Sequence, residues 1–287
     1  MARSQRRAAL EDYRHAASGG RAGARPEKGK GFDLARIDPS AKPCSSGSKA
    51  KDKARAEKLA LDLDRLQELL YADRRYKLLV VLQGIDTSGK DGTIRGVFGE
   101  MSALGVRTVG WKAPTDAERA HDFLWRIHQA VPGAGEIVLF NRSQYEDVLV
   151  PVVDGSIDRA ETERRYDAIN DFERMLVESK TVLLKFMLHI SRDEQRERLQ
   201  ARIDDPTKRW KFERGDLEVR RHWDEYQQAY SAAIAATGTP WAPWHIVPSN
   251  SKTHRNLMVA EITHRTLTQL PLRYPPGDPS LHGLRIE

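Results

Sequence analysis

The stretch KLLVVLQGIDTSGKDGTIR, residues 77–95, restricts the possible folds most. Its first part is apolar on both faces, as a central parallel strand covered on two sides must be. A glycine-rich turn follows, and then a helix. That order aims several backbone N–H groups and a helix N-terminus at one point, which makes an anion site. Gly84, Gly89 and Lys90 fit the spacing of a phosphate-binding P-loop, with Ser88 and Gly92 inside the same cradle. The position after the lysine should carry a hydroxyl for magnesium, and it is Asp91. A second carboxylate, Asp86, sits inside the loop itself. A carboxylate facing phosphates is unfavourable unless a cation lies between them, and Mg²⁺ takes oxygen ligands and bridges carboxylate to phosphate. Asp86 is therefore expected to hold Mg²⁺, or Mn²⁺ in its place. Asp91 opens the helix, where a carboxylate is favourable as a cap; a cap and a phosphate-site role both stay open.

The rest of the chain alternates in the same manner. Strands are predicted at 77–83, 106–111, 136–141, 181–190 and 244–249. Helices are predicted at 48–73, 89–103, 115–130, 158–178, 191–203, 214–235 and 252–270. This predicts an α/β fold, a five-stranded parallel sheet flanked by helices. Residues 1–45 read as a disordered basic tail and an extended arm, 46–275 as one domain, and 276–287 as a C-terminal tail. The first 30 residues hold eight Lys/Arg against three Asp/Glu. No apolar run approaches the roughly 18 residues of a membrane span. One cysteine, Cys44, precludes an internal disulfide, and a cytoplasmic location is the simplest expectation. The net charge of +6 favours an anionic partner: nucleic acid, a membrane surface or a polyanionic substrate.

Ligands in such sheets lie beyond the carboxyl ends of the strands. The segment LFNRSQYEDVLV, residues 139–150, therefore places Asn141, Arg142, Tyr145, Glu146 and Asp147 near the loop. Arg142 can bridge phosphate oxygens, and Asp147 can complete a metal site. In RERLQARIDDPTKRWKF, residues 196–212, Arg198 and Arg202 share a helix face, and Lys208, Arg209 and Lys211 surround Trp210. Such a segment suits a lid, at about 196–215, that brings charge to a transferring phosphoryl group. A solvated basic loop or a nucleic-acid stacking platform are the other readings of the same residues. Lys112, after the second strand, is placed to meet a second phosphate-bearing substrate. His121 and His128 suggest no metal spacing.

Five segments together, LQGIDTSGKDGTIR, HDFLWRIH, FNRSQYEDVLV, DDPTKRWKF and TPWAPWHIVPS, resemble polyphosphate kinase family 2, in order from about Asp38 to Tyr274. The resemblance implies a P-loop kinase fold close to thymidylate kinase, with a helical lid. It implies Mg²⁺-dependent, reversible phosphoryl transfer between inorganic polyphosphate and nucleotides, and association as a homodimer or homotetramer. By the family's motifs, Asp86, Lys90, Arg142 and Arg202 would be catalytic. Arg198, Lys208 and Lys211 would bind phosphate, and Lys112, Asn141, Tyr145 and Glu146 the nucleotide. Many members carry an aspartate where this chain has Asn141; Glu146 and Asp147 follow instead, a version that looks like the subgroup acting on both AMP and ADP, with Asp86 and Asp147 on the metal. Two other classes would share parts of this pattern. An ATP-dependent nucleotide kinase would ignore polyphosphate, and a nucleic-acid-binding protein would show salt-sensitive affinity without turnover.

Overall fold

The computed structural model describes residues 10–16 and 31–286. Its strands are β1 (Arg14–His15), β2 (Lys77–Gln83), β3 (Val106–Gly110), β4 (Ile137–Asn141), β5 (Thr181–His189) and β6 (Trp244–Pro248). They form one sheet in the order β1-β6-β5-β2-β4-β3. The five expected strands are present, and β2 to β6 pair in parallel. The expected count of five is corrected to six. Arg14 and His15, from the segment read as tail, pair antiparallel with His245 and Trp244. Two residues are too short to show an alternation, so composition hid them. Their pairing covers the otherwise open edge of β6, and Leu10 beside them is 4% exposed. The remainder of the expected N-terminal tail, 1–9 and 17–30, lies outside the described residues.

The longer helices are α1 (Lys49–Asp73), α2 (Lys90–Phe98), α3 (Arg159–Glu178), α4 (Arg192–Asp204), α5 (Gly215–Arg221), α6 (Trp223–Thr237) and α7 (Lys252–Gln269). Two expectations change here. The helix read at 115–130 is two single turns, Asp116–Arg119 and Trp125–His128. The helix read at 214–235 is broken at His222 into α5 and α6. Where caps are strong the ends agree: Ser48 accepts from the Lys51 N–H at the start of α1.

Strand periodicity sets the layers. Leu79 and Val81 of β2 enter one core with α3 and α6, while Leu78, Val80 and Leu82 enter the other with α1, α2 and α7. Each such side chain contributes about 1.5–3 kcal/mol through burial, so β2 is anchored from both faces. It lies between β5 and β4, and its carboxyl end carries the glycine-rich turn. The arm before α1 runs across this end of the sheet. The Leu34 N–H donates to Ser231 Oγ at 3.0 Å, the Cys44 N–H to His254 Nε2 at 3.2 Å, and the Ile37 carbonyl lies 3.1 Å from His189 Nε2.

Candidate active site

The turn after β2 needs its glycines. Gly84 has φ +145°, and a Cβ there would meet the Leu188 carbonyl at 2.5 Å. Gly89 has φ +106° and no side-chain cap, so the first N–H groups of α2 stay open. Thr87 is held at φ 67° without being glycine, a strain that surrounding structure must support. The hydroxyls of Thr87 and Ser88 are buried and have no partner. A cradle of open N–H groups and unpartnered hydroxyls is what a phosphate would complete. Lys90 folds back over it: Nζ donates to the Gly84 carbonyl at 2.6 Å. Burial and the Arg142 guanidinium push the Lys90 pKa down, while Asp86 and Glu146 resist.

Beside this cradle stand Asp86, Arg142 and Glu146. Arg142 Nη2 lies 2.6 Å from Asp86 Oδ1, and its Nη1 lies 3.5 Å from Glu146 Oε2. The arginine sits at φ 68°, with its N–H donating to the Leu82 carbonyl at 3.0 Å. Burial opposes its charge, but Glu146 and Asp86 more than offset that and hold it protonated. Burial pushes the Glu146 carboxyl up, against the pull of Arg142 and Lys90. Asn141 and Lys211 meet at Asp91 instead: Asn141 Nδ2 donates to Oδ1 at 2.8 Å, and Lys211 Nζ lies 3.4 Å from Oδ2. Asp91 thus ties Lys211, in the basic connection after α4, and the end of β4 to the first turn of α2.

Several expected site residues lie elsewhere. Asp147 turns to Arg126, with Oδ2 3.3 Å from Nη2, so Glu146 rather than Asp147 joins Asp86 around Arg142. Tyr145 is 1% exposed, and its hydroxyl donates to Glu173 Oε1 at 2.6 Å. The turn after β4 is a 3-10 helix, Gln144–Val148, in which Gln144 and Tyr145 are both buried, so Tyr145 does not face a nucleotide. Arg198 has five N–H donors, and all five are engaged: with Glu194 Oε1, and with the carbonyls of Thr87, Ser88, Ser249 and Asn250. It ties the loop to the end of β6 and offers no donor to phosphate. Lys112 is exposed, and its carbonyl accepts from Arg126 at 2.9 Å.

The basic connection after α4 holds together through its own contacts. Arg202 Nη1 donates to the Lys211 carbonyl at 3.3 Å and faces Asp216 at 3.7 Å. Lys208 pairs with Asp205, and Trp210 is 76% exposed. Gly92 presents open backbone in the first turn of α2.

Three residues escaped the sequence reading. Tyr226 and Tyr230 of α6 feel the charges of Glu146 and Asp86; their spacing of four, following the first-strand motifs by over a hundred residues, carried no visible link to the loop. Asp216 is pushed up by burial and then by Asp86.

A magnesium ion fits this donor set. Among the described residues no three His, Cys, Asp or Glu gather as a metal cluster. Mg²⁺ is commonly held by one or two carboxylates plus phosphates and water. Asp86, with one oxygen on Arg142, and the unpartnered Thr87 and Ser88 hydroxyls beside it supply such oxygens.

Known proteins resemble this chain in sequence and fold. The family described as Polyphosphate kinase 2 matches residues 46–272. An AMP/ADP-polyphosphate phosphotransferase of Meiothermus ruber is 49% identical over 259 residues, covering 89% of this chain and 96% of that one. An ADP-polyphosphate phosphotransferase of Rhodopseudomonas palustris is 39% identical over 230 residues, covering 76% and 80%. The crystal structure of polyphosphate kinase 2 from Arthrobacter aurescens TC1 superposes with a TM-score of 0.87 at 45% identity, over 94% of this chain and 92% of that one. With the family's motifs spanning most of its length on a P-loop kinase fold, this chain belongs to the polyphosphate kinase 2 family.

Proposed function

We propose that this protein transfers a phosphoryl group between inorganic polyphosphate and nucleotides, converting AMP to ADP and ADP to ATP, with Mg²⁺. The observation that carries this reading is the loop: open N–H groups, two buried hydroxyls without partners and a buried lysine, with Asp86 and Arg142 at its rim. The names of the relatives from Meiothermus ruber and Rhodopseudomonas palustris supply the donor and acceptors.

Phosphoryl transfer needs positioning and charge neutralisation more than covalent chemistry by the protein. The α2 N-terminus and Lys90 hold the phosphates of the donor. Arg142, kept protonated by two carboxylates, faces the charge that shifts between the transferring oxygens. Arg202 and Lys208 bring positive charge from the lid and exclude water as it closes. Bound at Asp86, magnesium would neutralise phosphate charge. Donor and product are both phosphoanhydrides, so concentrations set the direction. Action in the cytoplasm and assembly as a homodimer or homotetramer belong to the same proposal; Leu104, 82% exposed, and Leu61, 54% exposed, are apolar surface that assembly would cover.

The test supplies the purified protein with Mg²⁺ and each nucleotide in turn, with either long-chain polyphosphate or ATP as donor, and separates the products by chromatography. Products only with ATP would instead make it a nucleotide kinase of the thymidylate kinase type. No helix among the described residues is long and apolar enough to cross a membrane.

A further inference from the structure

Arg255, in the first turn of α7, is 3% exposed. Its guanidinium packs against Gly89 and Gly92 of the phosphate loop. A Cβ built on Gly89 would come within 1.8 Å of Nη1, and one on Gly92 within 2.9 Å of Nη2. The two glycines therefore do more than shape the turn: they leave room for this side chain against the first turn of α2. Its hydrogen bonds go to a neutral acceptor, Asn256 Oδ1, at 3.1 Å from Nε and 2.9 Å from Nη2. No carboxylate pairs with it among the described residues.

The surroundings add to the imbalance. Burial, and then the Arg198 guanidinium, pull the Arg255 pKa down to about 10. It stays protonated at neutral pH all the same. Lys252 is likewise pushed down by burial, Arg198 and Arg255, against the pull of Glu194, whose carboxylate is taken up by Arg198 at 2.7 Å. The N-terminus of α2 contributes further positive potential. A buried charge without a partner destabilises the protein that carries it. At the same loop, the Thr87 and Ser88 hydroxyls are buried and unpartnered. Positive charge and open hydroxyls converge where the counter-charge is missing.

We propose that Arg255 is a buried counter-charge for the phosphoanhydride chain in the loop, left unpaired in the free protein and neutralised only when phosphates occupy the cradle. It is a positioning residue, acting through the loop backbone of Gly89 and Gly92 and through its field, and it rests on the reading of the loop as a polyphosphate site. Stability of the free protein is lower so that affinity for the anion is higher.

The test compares full-length wild type with Arg255→Met and Arg255→Lys in thermal unfolding, with and without tripolyphosphate, at matched ionic strength. Without the anion, the Met variant is expected to melt at or above wild type. At a tripolyphosphate concentration about a hundredfold above the wild-type Kd, the melting temperature of wild type should rise, that of the Lys variant should rise by less, and that of the Met variant by about half the wild-type shift or less. Its Kd for tripolyphosphate should weaken about tenfold or more, the scale of a charged hydrogen-bonding group. A Met variant that melts below wild type or fails to fold, or that keeps the full tripolyphosphate shift, overturns the proposal and makes Arg255 a structural arginine. Wild type indifferent to tripolyphosphate would overturn the phosphate reading of the loop as well, so the two failures are distinguishable.

Discussion

Replacing Lys185 by Met should reveal how the turn that carries Arg142 and Glu146 is held. Lys185 and Glu173 are both 0% exposed and pair at 2.6 Å. Lys185 Nζ also reaches the Tyr145 hydroxyl at 3.0 Å and the Thr237 carbonyl at 2.8 Å. Gln144 Nε2 donates to Glu173 Oε1 at 3.2 Å. The network thus joins β5, α3 and α6 to Gln144 and Tyr145, between Arg142 and Glu146 in sequence. Removing one partner of a buried pair costs about 3–5 kcal/mol. For a chain of this size that is a fall in Tm on the order of 10 °C. Burial pushes the Glu173 pKa up, and Lys185 is the main group pulling it down. Without the lysine, the folded carboxyl titrates further above its unfolded value of about 4.3. A raised folded pKa gives stability that is full below the unfolded pKa and lost as pH rises through the folded one. Urea unfolding should therefore show Lys185→Met losing more stability relative to wild type at pH 8 than at pH 5. The paired replacement Glu173→Leu/Lys185→Met removes both charges and should recover most of the stability. It should still lower kcat, because the turn loses its polar registration. A Lys185→Met protein as stable as wild type at pH 8, or a paired variant at full kcat, would refute the reasoning.

Asp86→Asn should lower kcat by about 100-fold or more, since it removes the loop carboxylate and a partner of Arg142; a magnesium titration like that of wild type with near-normal rate would contradict this. Lys208→Ala should raise the KM for long polyphosphate more than that for ADP, and flatten its salt dependence, because exposed charge contacts are screened over about 8 Å near physiological ionic strength; equal salt dependence for both substrates would leave the lid as a solvated loop. Burial depresses His189 to about 4 and His245 to about 3. The folded protein then refuses protons that the unfolded chain takes below about pH 6.5, so their stability contribution is present above that value and is lost as pH falls. Together they should contribute about 2–2.5 kcal/mol per pH unit between pH 6 and 4.5, measured by urea midpoints, and His245→Gln should remove about half of that contribution.

The buried strands were legible because each carries its own signal. Residues 77–83, apolar on both faces, could only be a central strand, and the structure begins and ends it at Lys77 and Gln83. The loop followed from Gly84, Gly89 and Lys90, directly after that strand. What was hidden depends on distance in sequence. β1 has no pattern of its own and exists only through pairing with β6. Tyr145 looked like a site residue because it follows Arg142 closely, yet the 3-10 turn that carries it buries its ring against Trp244. Arg198 was read as a lid residue that binds phosphate, and its commitment to four backbone carbonyls is a tertiary fact. Arg255 lies beyond the last motif, and only the packing of α7 on Gly89 and Gly92 brings it to the loop.

The most direct measurement follows both substrates at once by phosphorus NMR, with long-chain polyphosphate, ADP and Mg²⁺ in one tube. Phosphoryl transfer predicts that ATP resonances grow as internal polyphosphate signal is lost, with little free phosphate, and that Lys90→Ala slows both changes together. Polyphosphate signal that is unchanged, or lost to free phosphate with no ATP formed, would contradict the account.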